Sequence, residues 1–339
     1  MISVIIPTFN KAEYLELTLA SFVNQTCKDY ELIVVDDGSE DNTKIVVNDY
    51  MDIINIKYFF QNNKGRASAR NTGILQSSGT LIIFNDDDRI VSPFFIEEHK
   101  KKHKNNSNLI LIGWKYNVLS IWKPDELPLL KSSLRKMFPN LEHHNKIKLL
   151  LHPKDIIDNF SESIKPFIVG EEPDNHIDII KAYSESLDNF NFPWVLGTTG
   201  NLSVAKQKIE KVGLFDENYK GWGVEDTDFC YRLYNEGGVF RVDKGASNYH
   251  QIHPIGQKRS PKDHLSIERK RTLNKNYFYF CNKFQDLHVY LAWRSFFSEN
   301  MNLKKANEII NQNNKSVKEE LKNLYDCLIK NEMKGNIYK

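Results

Sequence analysis

YELIVVDDGS, residues 30–39, is an unbroken apolar run that gives way to two carboxylates, a glycine and a serine; DNTKIVVNDYM, residues 41–51, follows it with helical spacing. An apolar run without polar alternation is the pattern of a strand covered on both faces, as in a parallel sheet. The same rhythm lies on either side. SVIIPTF (3–9) is a short strand run ended by Pro7, and AEYLELTLASFVNQT (12–26) sets Tyr14, Leu15, Leu19, Phe22 and Val23 at helical spacing. Downstream, IKYFFQN reads as a third strand, GRASARNTGILQSS as a helix and TLIIFNDDD as a fourth strand. Strand then helix, repeated, predicts an α/β fold with a mostly parallel sheet flanked by helices.

Composition agrees with a globular chain. Its 339 residues, 40% hydrophobic, suffice for one large domain or two ordinary ones. Lys and Arg total 46 against 44 for Asp and Glu, so a net charge of +2 offers no general attraction to nucleic acid. The cysteines at 27, 230, 281 and 326 form no CxxC pair. Their spacing suits neither a zinc site nor a disulfide scaffold and implies a reducing, cytoplasmic setting. No apolar stretch reaches the length of about 18 residues needed to span a bilayer. MISVIIPTF enters a strand at once, without the zones of a signal peptide, so a soluble protein is expected.

In parallel sheets, ligands gather at the carboxyl edge. Each strand ends there in polar residues: Thr8 and Asn10, Asp36 and Asp37, Asn62 and Asn63, then Asp86, Asp87 and Asp88. The first loop, PTFNKAEY, is neither the GxGxxG turn of a dinucleotide-binding fold nor the GxxxxGK[ST] of a P-loop. Three adjacent carboxylates repel unless a cation intervenes. A hard divalent ion, Mg²⁺ or Mn²⁺, shared with a diphosphate answers that need. The competing reading is a solvated turn whose Asp residues cap a helix.

VIIPTFNKAEYL, ELIVVDDGSEDNT, NNKGRASARNTGI and the strand ending in DDD come in an order that resembles the family-2 glycosyltransferases of the GT-A fold. GTTGNLSV (197–204), GWGVEDTDFCYRLYNEGG (221–238) and GASNYHQIHP (245–254) resemble the acceptor-side motifs of bacterial chondroitin polymerase and the β-1,4-galactosyltransferases. The resemblance implies a GT-A, Rossmann-like mixed sheet. It also implies nucleotide-sugar contacts from Pro7, Thr8, Asn10, Asp37, Lys64, Arg70, Asp86 and Asp87, Thr8 and Asp37 holding base and ribose. Asp86 and Asp88 match the DxD motif as metal ligands; the triple Asp leaves the register open by one, so Asp87 can share the second role. Arg89 departs from the pattern, many relatives having an acid there, and is expected to pair with Asp86 or a phosphate.

GWGVEDTDF (221–229) sets glycines and a tryptophan before three carboxylates and a phenylalanine. Glycosyl transfer needs a base for the acceptor hydroxyl and a counter-charge for the departing diphosphate. Asp226 is the candidate base: TDFCYRLYNEG reads as a helix with Phe229, Leu233 and Cys230 on one side, and the helix dipole favours an ionised carboxylate in its first turn. By resemblance Glu225 binds an acceptor hydroxyl, while Trp222 offers a ring face to a sugar. The alternative is an acidic helix cap after a flexible glycine loop. His250 falls where the resembled enzymes place a third metal ligand, with His253 as the alternate, and imidazole suits Mn²⁺. Taken alone, a histidine near a loop is an ordinary surface or capping residue. His99 and His103, at i and i+4 among lysines, read as a solvated basic helix end and not as a metal site. Gly200 and Asn201 in GTTGNLSV either contact donor or acceptor hydroxyls or form a turn into a core strand.

Boundaries follow from these readings. Residues 1–255 are expected to form the transferase domain, with 1–114 binding the nucleotide-sugar, 115–190 an inserted helical and loop segment that influences acceptor choice, and 191–255 the acceptor and catalytic half. Residues 256–339 are a C-terminal helical extension, amphipathic in VYLAWRSFFSENMNLKKANEII and SVKEELKNLYDCLIK. It reads as a cap on the core or as a docking element for a membrane surface at the inner face or a partner enzyme. The expected activity is metal-dependent, inverting transfer of a sugar from a nucleoside diphosphate, UDP above all, to a hydroxyl of a glycan or related acceptor. A sugar nucleotidyltransferase and a catalytically silent sugar-binding or scaffold protein are the rivals. The first needs a basic triphosphate loop where PTFNKAEY stands; the second is disfavoured by the intact set of Asp37, Asp86, Asp88, Asp226 and His250.

Overall fold

The computed structural model of the chain describes residues 1–123, 138–139, 141, 146–171, 176–253, 267–297 and 300–312, with single positions at 319, 323 and 326. Most of the 122–140 segment, the Pro261 boundary and most of SVKEELKNLYDCLIK lie outside the described residues. The strands are β1 (Ile2–Thr8), β2 (Tyr30–Asp36), β3 (Ile56–Phe60), β4 (Leu81–Asn85), β5 (Arg89–Val91), β6 (Leu109–Val118), β7 (Ile121–Trp122), β8 (Lys148–Leu149), β9 (Ile168–Glu171), β10 (Asn201–Ala205) and β11 (Val239–Gln251). The helices are α1 (Ala12–Phe22), α2 (Thr43–Met51), α3 (Arg66–Gln76), α4 (Phe95–His103), α5 (Pro153–Ile164), α6 (His176–Tyr183), α7 (Lys206–Val212), α8 (Glu225–Asn235), α9 (Ile267–Phe284), α10 (Leu287–Phe297) and α11 (Leu303–Asn311).

Among the described residues, nine strands form one sheet in the order β3-β2-β1-β4-β10-β6-β11-β5, with β9 beside β6. β1 to β4 are mutually parallel where they pair, and β6 and β11 run the same way because β10 lies antiparallel between β4 and β6. Only β5, β9 and β10 are reversed, which makes the sheet mixed and mostly parallel, as expected.

β2 explains why its sequence shows no polar alternation. All seven of its residues are buried. Leu32 and Val34 enter the cluster under α1 and α2, whereas Ile33 and Val35 enter the opposite cluster with α3. Fully burying such side chains stabilises the fold by roughly 1.5–3 kcal/mol each. The helices after β1 and β2 start from a shared carboxylate: Asp41 accepts from the Ala12 amide at 3.0 Å and from the Thr43 amide at 3.0 Å, satisfying first-turn donors of both.

Two segments differ from the sequence reading. The boundary drawn at residue 115 falls inside β6, whose last four residues pair with β11 and so belong to the main sheet. GASNYHQ is also strand. β11 runs through it past a bulge between Asp243 and Asn248, where the Asp243 carboxylate accepts from the Gly245 and Ala246 amides at 2.8 and 3.0 Å. The C-terminal helices are not peripheral to packing, since Tyr277, Phe280, Tyr290 and Leu291 share a core cluster with Trp194 and Phe229. Among the described residues no helix is long and apolar enough to cross a membrane.

Candidate active site

The carboxyl edge of β1 to β4 is built by carboxylates that bind loops as well as face the cleft. Asp37, just beyond β2, accepts from the Lys64 amide (2.9 Å), the Gly65 amide (2.8 Å) and Gln61 Nε2 (2.7 Å), so it fixes the loop that opens α3. Asn10, at φ +52°, joins neighbouring loops: its amide donates to Ser39 Oγ at 2.9 Å, and its Oδ1 accepts from the Glu40 amide at 2.8 Å. Pro7 and Thr8 end β1 on the same edge, and the buried Thr8 hydroxyl lies against Asp87.

The triple-aspartate turn joins β4 to β5; Asp86 faces arginines, while Asp87 and Asp88 share Lys11. Asp86 faces two arginines, Arg70 Nη2 at 3.5 Å and Arg89 Nε at 3.7 Å. Asp87 is buried 3.5 Å from Lys11 Nζ; burial first, then the neighbouring aspartates, push its carboxyl up to about 6 against the pull of Lys11. Asp88 is also buried, but the nearby His250, Lys11 and His253 outweigh burial and hold its carboxyl well below the usual range. Its Oδ2 meets Lys11 Nζ, lies 2.8 Å from His253 Nε2 and 3.8 Å from His250 Nε2.

β11 is what brings the histidines there. It pairs antiparallel with β5 so that His250 stands opposite Arg89, and the Gln251 amide donates to the Asp88 carbonyl at 2.9 Å. Among the described residues, Asp88, His250 and His253 offer donor atoms within 4.8 Å of one another. Asp86, expected as a metal ligand, is not in that group because its carboxylate is turned to the arginines. His253, the alternate in the sequence, is the nearer histidine. Lys11 was missed, although its place in the loop after β1, on the ligand edge, was the available signal.

The second acidic motif meets the first at Arg70. This guanidinium, 4% exposed on α3, donates from Nη1 to Glu225 Oε1 at 3.0 Å and reaches Asp86 from Nη2. One buried cation therefore ties the DDD turn to the first residue of α8. Asp226 follows, half-buried, its Oδ1 accepting from the Thr227 amide at 2.8 Å. Burial first and Glu225 second push its carboxyl up to about 6, while Arg70 pulls the other way. Beside Glu225 a small cavity of about 50 Å³ opens between Lys64–Ala67 at the start of α3 and Glu217, Tyr219, Lys220 and Gly221. Trp222 is half-buried in the same turn.

Two further expected residues, Gly200 and Asn201, part ways. Asn201 is fully buried, donating to the Trp114 and Ala246 carbonyls at 3.2 and 3.0 Å, with Oδ1 3.1 Å from His99 Nε2. It braces strands, as the core-turn reading had it. Gly200 lies close to Arg89 and Asp86, and its carbonyl accepts from Asn248. The His99 and His103 pair is not solvated: both rings turn under the sheet onto Ser203 Oγ, at 2.7 and 2.8 Å, while the intervening lysines take the water-facing side of α4.

The Glycosyl transferase family 2 model matches residues 3–153, and a model described as the N-terminal domain of galactosyltransferase matches residues 183–254. The uncharacterized glycosyltransferase YfnE of Bacillus subtilis is 31% identical over 310 residues, covering 88% of this chain and 75% of that protein. Chondroitin synthase of Escherichia coli is 31% identical over 257 residues, 75% of this chain but 35% of that enzyme's length. Among solved structures, S. aureus TarS 1–349 aligns with a TM-score of 0.53 at 16% identity, covering 100% of this chain and 93% of that one, a likeness that speaks for the GT-A fold. The two matched segments are those that meet at Arg70, and the chain belongs to glycosyltransferase family 2.

Proposed function

We propose that this glycosyltransferase moves a sugar from a UDP-sugar to a hydroxyl of a glycan or related acceptor, with inversion and with a divalent cation. The observation that carries the reading is the Arg70 bridge, because it joins Asp86 of the turn read as donor-side to Glu225 of the acid pair read as acceptor-side. Two likenesses support the donor and acceptor classes: TarS has been solved in complex with UDP-GlcNAc, at a TM-score of 0.52, and the matched chondroitin synthase is named for a glycan product.

Asp226 accepts the proton of the acceptor hydroxyl as that oxygen bonds to the anomeric carbon; the bond from that carbon to the diphosphate breaks, and its electron pair leaves with the nucleotide. Glu225, held by Arg70, is placed to accept a hydrogen bond from the acceptor. Asp37 keeps the base-side loop in shape through its amide contacts. The cation fits Asp88, His250 and His253. One carboxylate oxygen and two imidazoles are donors suited to Mn²⁺, and the ammonium of Lys11, 3.0 Å from His253 Nε2, already stands among them. When bound, it would neutralise charge on the leaving diphosphate.

The test is a donor screen by mass spectrometry, with purified protein, Mn²⁺ or Mg²⁺, and UDP-, GDP- and dTDP-sugars. UDP-sugar hydrolysis or transfer that depends on metal is expected. Asp88→Ala should abolish metal-dependent UDP binding, whereas Asp226→Asn should bind UDP and lose transfer. Wild-type transfer rates in Asp226→Asn would remove Asp226 from the role of base.

A further inference from the structure

The acid at Asp226 hangs from a turn that its own residues do not favour. Gly221, Gly223 and Val224 all have left-handed backbone, at φ +71°, +92° and +81°. For the glycines this is ordinary, but for a β-branched valine it is a genuine outlier that persists only when its surroundings hold it. Val224 is buried and is the residue from which α8 starts, so its conformation sets where Glu225 and Asp226 point.

The holding element comes from α9, some fifty residues later in the chain. Asn276, 7% exposed, donates from Nδ2 to both the Lys220 carbonyl and the Gly223 carbonyl, each at 2.9 Å. Thr272 and Leu273 press on the same turn. A Cβ on Gly221 would stand 2.7 Å from Thr272 Cγ2, and one on Gly223 would stand 2.8 Å from Leu273 Cδ1, so either would push a side chain of the helix aside. The helix also grips both flanks of the turn. Tyr279 hydroxyl and Lys283 Nζ reach Asp216 at 3.0 and 2.7 Å before it, and Lys283 Nζ reaches Asp228 at 2.7 Å after it.

We propose that Asn276 is a positioning residue for the transfer reaction: its amide, by clamping the Lys220 and Gly223 carbonyls, holds the strained turn that aims Asp226 and Glu225 into the cleft. The C-terminal helix is by this assignment part of the catalytic apparatus, though it touches no substrate. The proposal rests on Asp226 being the base, as read above.

The experiment compares wild type, Asn276→Ala and the isosteric Asn276→Asp, which keeps the shape and loses the donor. Tyr279→Phe, which removes the same helix's contact with Asp216 ahead of the turn and leaves the Asn276 clamp in place, serves as control. Steady-state transfer, UDP affinity by calorimetry, and amide hydrogen exchange across residues 223–227 are the measurements. Both Asn276 variants should lower kcat by on the order of tenfold to a hundredfold, the scale of a small misplacement of a catalytic group, while leaving UDP affinity and donor KM near wild type. Their amides at 223–227 should exchange faster, and those of Tyr279→Phe should not. Unchanged kcat, or an equal loss in Tyr279→Phe, overturns the proposal in favour of general stabilisation. Should Asn276→Ala fail to fold, Asn276→Asp carries the comparison. Wild-type protein that transfers no sugar would instead sink the functional reading. The exchange data would still judge the clamp.

Discussion

Asp226, the proposed base, would serve only while ionised, and its surroundings decide when that is. Glu225 on its own helix, Arg70 from α3, Asp86 from the DDD turn, Cys230 one turn on, and Tyr277 from α9 all act on it or feel its charge. With the carboxyl pushed up to about 6, it is deprotonated above that value and protonated below it. The kcat/KM for transfer should therefore be flat near neutrality and fall, with a slope of one, as pH drops through about 6. Measuring UDP affinity over the same range separates loss of the base from loss of donor binding; a flat kcat/KM down to pH 5 would reject the assignment. At this scale the two acidic motifs that carry Asp88, Glu225 and Asp226 were legible because their residue types and spacing stand out from the surrounding sequence. Asn201, His99 and Lys11 were not, since whether a polar side chain faces a cleft, a core or a counter-ion depends on neighbours far away in the chain.

α8 shows how an element is held by groups its own sequence cannot specify. Asp228, fully buried in its first turn, accepts from Tyr219 hydroxyl (3.0 Å), Arg232 Nε (2.8 Å) and Lys283 Nζ (2.7 Å). Removing one partner from such a cluster leaves charge buried without compensation, at a cost of roughly 3–5 kcal/mol. Asp228→Asn should lower the midpoint of thermal unfolding by several degrees; an unchanged midpoint would show the cluster to be neutral. α4 offers a pH-linked counterpart. Burial lowers His99 to about 3 and His103 to about 4, with His103, Asn201 and Asp243 the other groups acting on His99. Below the ordinary histidine value of about 6.5 the unfolded chain binds protons that the folded chain refuses. Stability is thus complete above that pH and declines as pH falls toward 4. Denaturant midpoints at pH 7, 6 and 5 should decrease in order, and His99→Phe should flatten the slope even if it lowers the midpoint.

For the molecule as a whole, the sheet is shared between segments that the sequence suggested dividing. β6 crosses the boundary at 115, and α9 and α10 supply Phe280 and Tyr290 to the cluster built around Trp194 and Phe229. Truncation after residue 255 should therefore expose a large apolar face and abolish cooperative unfolding, read by near-ultraviolet circular dichroism and calorimetry. A truncated chain with wild-type cooperativity would show that the core does not need these helices.

The order of strands and helices from β1 to β4, the family, and the residue types of the two acidic motifs were determined by the sequence itself, because apolar periodicity and strand-end chemistry are local signals. Which carboxylate meets which cation was decided only in three dimensions. Asp86 turns to arginines and Asp88 to histidines because β11 lies beside β5, and the acid pair starts beside Asp86 because Arg70 bridges Glu225 to it and Asn276 of α9 binds the turn before it. Such pairings arise from strand order and helix packing across the whole chain, and no short stretch of residues encodes them.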